Sequence, residues 1–222
     1  MRVLVFGATG SAGGSVLKAA LAAADVSDVL AVVRRPLTFK DPKLHVIVHD
    51  NFLDFGALAP EFSNVDACFY ALGVSAAQVS KEDDYRRITR DYAVAAARVL
   101  KERSPSIAFQ FVSGMGTRTR SRVMWSRVKA QAESDLTELL RAVCYRPGAI
   151  DGERSVSTSA AWYAPLRPLF KVFAPFRSMY VTGNDLGRAM LQSTREGLRA
   201  TILESRDIRD LADRSRSMGG NA

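Results

Sequence analysis

The run Val3-Leu4-Val5-Phe6-Gly7-Ala8-Thr9-Gly10-Ser11-Ala12-Gly13-Gly14-Ser15 constrains this chain most: an apolar strand stops at a glycine turn that opens into a helix. Gly7, Gly10 and Gly13 are spaced G-x-x-G-x-x-G. Glycines so placed let the chain turn tightly, bring backbone N–H groups against phosphate oxygens, and pack the helix close to the strand. A phosphate then sits at the positive end of the helix. The periodicity predicts a helix from Ala12 to Ala23 and a second apolar strand from Asp28 to Val33, completing a β-α-β unit. In that setting the glycines point to a dinucleotide pyrophosphate, with an ordinary strand-to-helix turn as the alternative.

About twenty residues past such glycines, a site for NAD usually carries an acid for the ribose 2′-hydroxyl. This chain has Arg34 and Arg35 there, just before Pro36. An acid would repel a 2′-phosphate, whereas guanidinium offers it planar, paired and permanently charged donors. The expected cofactor is therefore NADP(H) in preference to NAD(H). The competing reading is two solvated arginines before a proline turn.

At 222 residues and 47% hydrophobic content, one sizeable core can form without a second domain. The chain reads as a single domain over 1–212, with 151–182 as a substrate-cover segment and 213–222 as a fraying tail. A formal charge of +8 invites a nucleic-acid reading, but the arginines are scattered and no basic helix or aromatic-basic motif appears. No apolar run approaches the length that spans a bilayer, so neither nucleic acid nor membrane is expected as a partner. Met1-Arg2-Val3 runs straight into a strand without a charged leader, and Cys68 and Cys144 lie in apolar segments as buried thiols. A cytoplasmic location follows as the expectation.

Further strands are predicted at Leu44–Val48, Asp66–Leu72, Ile107–Val112 and Ala142–Tyr145, each short and apolar on both faces as a buried parallel sheet requires. Tyr85, Ile88, Tyr92, Ala96 and Val99 recur at helical spacing and predict a helix over Glu82–Glu102. Val128, Ala132, Leu136 and Leu139 predict another over Ser121–Arg141. Thr182–Glu196 should form a helix capped by Thr182 or Asn184. The alternation gives an α/β class: a doubly wound, Rossmann-like, mostly parallel sheet of six to seven strands with helices on both faces. Glu82, Asp83 and Asp84 suit the positive end of their helix, and His45 and His49 lack the company of a metal site, so no metal is expected.

Gly7-Ala8-Thr9-Gly10-Ser11-Ala12-Gly13, Val33-Arg34-Arg35-Pro36, Ala71-Leu72-Gly73, Ser113-Gly114 and Tyr145-Arg146-Pro147-Gly148 follow in an order and spacing that resembles the atypical short-chain dehydrogenase/reductase family. The likeness is strongest to its NmrA-like branch and the Tat-interacting-protein relatives, and runs to about residue 200. The resemblance implies that Gly7, Thr9, Gly10, Ser11, Ala12 and Gly13 hold the pyrophosphate, and Arg34 and Arg35 the 2′-phosphate. It puts Asp50 and Asn51 by the adenine, Ala71, Leu72 and Gly73 by the adenine ribose, and Pro147 and Gly148 by the nicotinamide.

The same resemblance implies a Tyr-x-x-x-Lys pair on one helical face. The tyrosine exchanges a proton with the substrate, while the lysine lowers its pKa and binds the ribose. This chain reads Trp125-Ser126-Arg127-Val128-Lys129: Lys129 is in place and Trp125 fills the tyrosine slot. An indole N–H has no proton to give up near neutral pH and cannot act as general acid or base. Ser113 resembles the family serine that orients the substrate carbonyl. Ser126 and Tyr163 are conceivable substitutes for the missing hydroxyl. The run Thr117-Arg118-Thr119-Arg120-Ser121-Arg122 is either a solvated face or a selector of anionic substrate or protein partner.

Two functions follow. One is an NADPH-dependent oxidoreductase acting on a small carbonyl-type substrate with a non-standard proton donor. The other is a non-catalytic NADPH-binding redox sensor that regulates a protein partner.

Overall fold

The computed structural model describes residues 1–79, 81–151 and 178–219. Strand β1 (Arg2–Phe6) is its hub, pairing in parallel with β2 (Asp28–Val33) on one side and β4 (Ala67–Tyr70) on the other. With β3 (Leu44–Val48), β5 (Ala108–Val112), β6 (Val143–Arg146) and β9 (Ile202–Glu204), these form a seven-stranded sheet in the order β3-β2-β1-β4-β5-β6-β9. Every pairing in it is parallel, so all carboxyl ends reach one edge. The order reverses at β1, and the crevice outside β1 and β4 is the topological switch point where ligands of such sheets bind.

Alternate residues of each strand feed two cores. Val3, Val5, Val29, Ala31, Phe69 and Tyr145 face helices α1 (Ser11–Ala22), α5 (Gly183–Arg195) and α6 (Ser205–Gly219) through Val16, Leu17, Met190, Ile208 and Leu211. Leu4, Phe6, Leu30, Cys68, Phe109 and Phe111 face α3 (Tyr92–Arg103) and α4 (Met124–Leu140) through Ala96, Leu100, Ala132 and Leu136. On that side Phe6 meets Phe52, Phe55, Phe62 and Tyr70 at centroid distances of 5.0–6.4 Å. Cys68 and Cys144 are buried and free, and burial pushes the Cys144 thiol up to about 12.

The helix expected over Glu82–Glu102 is α2 (Glu82–Arg86), a π-helical turn (Arg87–Asp91) and α3 in succession. Thr182 caps α5, its Oγ1 accepting from the Asp185 N–H at 3.0 Å. Two expectations are corrected, and one unexpected element appears. Strand β3 is not buried on both faces, because it is a sheet edge with His45, Val46 and Val48 exposed. His45 pairs there with Asp28 at 2.9 Å, and His49 Nε2 bonds the carbonyls of Asn51 and Asp54. Residues from 205 form β9's following helix α6, which continues through Gly219 where a fraying tail was expected from 213. Its Ile208, Leu211 and Ala212 are buried, and Arg216 pairs with Asp185 and Asp213. Finally, β7 (Ala149–Asp151) and β8 (Tyr180–Thr182) add a separate two-stranded parallel sheet.

Candidate functional site

Sterics define the glycine turn. Gly7 has φ +81°, a left-handed conformation that disfavours any side chain, and a Cβ there would lie 2.6 Å from the Ala71 carbonyl and the Leu72 nitrogen. A Cβ on Gly13 would lie 2.0 Å from the Gly7 oxygen, and one on Gly10 at 3.3 Å. The three glycines therefore press strand, turn and helix together and seat them against the start of the β4 loop. Gly10 is the N-cap of α1, makes no side-chain cap, and no acid occupies the first turn. The first N–H groups of a helix have no partner within it, so this end presents donors and a positive dipole to the crevice. Thr9 is half-buried, while Gly10 and Ser11 are exposed at its mouth, with Ala12 half-buried behind them. This cradle, closed to a Cβ at Gly7 and Gly13 yet open to an anion, fits a dinucleotide pyrophosphate.

The remaining expected cofactor positions lie on loops at the same edge. Arg34 and Arg35 follow β2, are exposed, and enter no ion pair among the described residues. Asp50 and Asn51 follow β3 and are exposed; the Asn51 Oδ1 accepts from the Leu53 N–H at 3.3 Å. Ala71, Leu72 and Gly73 follow β4, with the Ala71 N–H donating to the Phe6 carbonyl at 3.0 Å. Pro147 and Gly148 follow β6. The Pro147 carbonyl accepts from the Met115 N–H at 2.9 Å, the Gly148 N–H donates to Ser205 Oγ at 2.9 Å, and a Cβ on Gly148 would lie 2.3 Å from the Met179 oxygen.

Ser113 ends β5, with its N–H on the Tyr145 carbonyl at 2.7 Å and its hydroxyl 3.2 Å from Thr117 Oγ1. Helix α4 brings Lys129 to that loop. Its Nζ donates to the Ser113 carbonyl at 2.5 Å and lies close over Gly114, where a Cβ would come within 3.3 Å of it. Burial pushes the Lys129 ammonium down to about 8, against the opposing pull of Glu133 one turn on. Trp125, half-buried, lies with its ring edge over Gly116, which has φ +85°.

Ser126 does not replace the missing hydroxyl. It is buried, donating to the Gly116 carbonyl at 2.8 Å and accepting from the Arg118 N–H at 2.9 Å, so it latches the loop instead. Tyr163, and the segment 152–177 of the expected cover, lie outside the described residues. The arginines of the basic run, Arg118, Arg120 and Arg122, are exposed on the rim.

Sequence reasoning missed Thr117, Glu133 and Ser205. Glu133 holds Arg146 in a two-bond pair at 2.9 and 2.6 Å, and Glu204 approaches the same guanidinium at 3.3 Å. Its i, i+4 spacing from Lys129 was a legible signal. Ser205 acts through a tertiary contact that no local pattern announces, while Thr117 bonds Ser113 and Gly114 within its own loop.

A family model described as NAD(P)H-binding matches residues 7–168. Protein FMP52, mitochondrial, of Eremothecium gossypii is 31% identical over 156 residues, covering 69% of this chain and 68% of its own. The protein of the same name from Saccharomyces cerevisiae is 27% identical over 226 residues, covering 96% of each. Among solved structures, the Bordetella bronchiseptica enzyme WbmF in complex with NAD+ superposes with a TM-score of 0.69 at 15% identity, covering 99% of this chain and 78% of that one. DesIV, a dTDP-glucose 4,6-dehydratase from Streptomyces venezuelae with NAD and TYD bound, gives 0.68 at 16% identity, covering 100% and 82%.

The relatives' names overturn the cytoplasmic expectation, because they are given as mitochondrial. An apolar first strand and two reduced thiols do not distinguish the cytoplasm from an organelle interior. The sheet order, the cradle and a family match across most of the chain converge: the protein belongs to the NAD(P)H-binding family, on a Rossmann-like fold.

Proposed function

We propose that this protein is an NADPH-preferring oxidoreductase that reduces a small carbonyl-type substrate without the tyrosine of its family. The observation that carries the cofactor choice is Arg34-Arg35, two exposed guanidinium groups without ion pairs among the described residues, at the carboxyl end of the strand beside the glycine turn. A 2′-phosphate placed there would gain charge-assisted, paired hydrogen bonds that a hydroxyl cannot match. When bound, NADPH supplies a hydride. The chain's own part is to hold the pyrophosphate on the α1 N-terminus, orient a carbonyl beside Ser113, and anchor the ribose through Lys129. The exposed Arg118, Arg120 and Arg122 favour an anionic substrate by charge complementarity.

Trp125 favours a second reading, an NADPH-binding redox sensor that acts on a protein partner, since it removes the usual proton step. A thermal-shift titration with NADPH and NADH, followed by NADPH oxidation over a panel of aldehydes and ketones, separates the two. Stabilisation with turnover supports the oxidoreductase, and stabilisation with silence in every assay supports the sensor. No stabilisation by either coenzyme at millimolar concentration overturns both.

A further inference from the structure

Most other proton-bearing side chains near the Ser113 loop among the described residues are buried or already bonded, and the exposed Thr119 hydroxyl and rim arginines hold their protons too tightly to serve as acids. Tyr70, Tyr85 and Tyr145 are enclosed in the core, and the Tyr180 hydroxyl donates to Asp151 Oδ2 at 3.2 Å. Ser126 Oγ is held by both its donor and acceptor bonds, and the Ser113 and Thr117 hydroxyls bond each other. Lys129 differs. One of its three N–H bonds is directed to the Ser113 carbonyl at 2.5 Å, which leaves two for a ligand beside that strand end. It stands one helical turn from Trp125 on the same face, as i and i+4 residues do.

We propose that Lys129 is the proton donor of the reaction, taking over the step for which Trp125 has no group. The inference rests on the oxidoreductase reading. Bound NADPH would supply the hydride to the carbonyl carbon; the π electrons would then move to oxygen, which would take its proton from Lys129 Nζ. The neutral amine then recovers a proton from water, so charge and atoms balance.

The electrostatics suit this role. An ordinary ammonium is too weak an acid near neutral pH, but burial brings this one down to about 8, close to the pH where a general acid works best. The charged groups around it are otherwise compensated. Glu133 on the same helix is held by Arg146 of β6, Glu82 of α2 pairs with Arg127, and Arg90 of the π turn pairs with Asp91 and Asp135. Strand β5 brings only the Ser113 carbonyl dipole to Nζ, so no unpaired carboxylate holds the proton in place.

The test uses the full chain and Lys129→Arg, which keeps the charge but releases no proton at working pH. Assays use 4-nitrobenzaldehyde as the probe, at saturating NADPH for kcat and over a range of NADPH concentrations for its KM. We expect kcat to fall at least 100-fold while KM for NADPH changes less than tenfold. The wild-type profile should lose activity as pH rises through about 8, and that limb should vanish in the variant. Independently of turnover, NMR of 15N-labelled lysine amines should show one group titrating near that value and missing from Lys129→Arg. A variant retaining kcat within threefold, or a Lys129 amine that titrates with the other lysines, overturns the proposal. Wild-type protein that NADPH stabilises but that reduces none of the aldehyde overturns it too, leaving cofactor binding intact. Protein that NADPH does not stabilise overturns the cofactor reading itself.

Discussion

The Trp125 ring rests on Gly116: a Cβ at that glycine would lie 3.6 Å from Trp125 Cη2. The indole thus occupies the mouth of the loop that carries Ser113, one turn before Lys129. Trp125→Tyr places a phenol in that position, with an amine nearby to lower its pKa. We expect kcat for carbonyl reduction to rise about tenfold or more, within the range general acids contribute, at a stability loss of about 1–2 kcal/mol from lost packing. Steady-state kinetics with thermal melting checks both, and an unchanged kcat removes Trp125 from any place near the reacting atoms.

Arg34 and Arg35 are exposed, so replacing both with Ala should leave stability within about 1 kcal/mol. NADPH affinity should fall about 10–100-fold, as charged hydrogen bonds of ~1.5–3 kcal/mol are lost. NADH affinity should barely change. Equal weakening of both coenzymes would falsify the 2′-phosphate assignment.

Gly13 and Gly10 separate folding from binding. Gly13→Ala forces a methyl to within 2.0 Å of the Gly7 oxygen, and backbone must move. A loss of about 3 kcal/mol, or a Tm drop on the order of 6–12 °C, is expected. At Gly10 the contact is 3.3 Å, so Ala there should melt within a few degrees of wild type yet lose NADPH stabilisation by filling the cradle. Should Gly10→Ala bind NADPH as wild type does, the phosphate lies elsewhere.

The Lys129 ammonium, lowered from 10.5 to about 8, also predicts a stability trend. Between those values the unfolded chain binds the proton that the folded chain has released, so stability should rise with pH across that window. Below it, the folded state carries the cost of a partly buried charge. Lys129→Met should therefore gain most, relative to wild type, below about pH 8, with the advantage shrinking toward 10.5. Urea melts at several pH values measure the difference, and a pH-independent gap contradicts the shifted pKa.

Glu133 is buried and grips Arg146 with two bonds. Glu133→Gln should cost about 2–3 kcal/mol, somewhat less than a fully buried pair because Glu204 also contacts the guanidinium. It should also lower the Lys129 pKa further, since Glu133 opposes the effect of burial. Calorimetry and the lysine NMR titration read the two effects separately.

The glycine turn and the six strands β1–β6 were legible because each is a short apolar run between breakers, and their edges differ from the expected ones by no more than two residues. Strand β9 was not, since it is three residues long with Ile202 and Glu204 exposed and only Leu203 buried. Helix α6 was hidden by its charge: Ile208, Leu211 and Ala212 are a narrow stripe among arginines and aspartates. The candidate site was legible where backbone chemistry demands a residue type, as at Gly7 and Gly13. It was illegible where distant hydroxyls bind loops together, as Ser205 does at Gly148 and Ser126 at Gly116. Ser126 looked like a substitute for the missing hydroxyl until its bonds were known.

The pairing of β7 with β8 brings Asp151 opposite Thr182 and Ala149 opposite Tyr180, so the chain departs from the main scaffold and rejoins it at one tied neck. That ladder forms a sheet of its own, so these two short strands keep their register without borrowing a hydrogen bond from the seven-stranded framework.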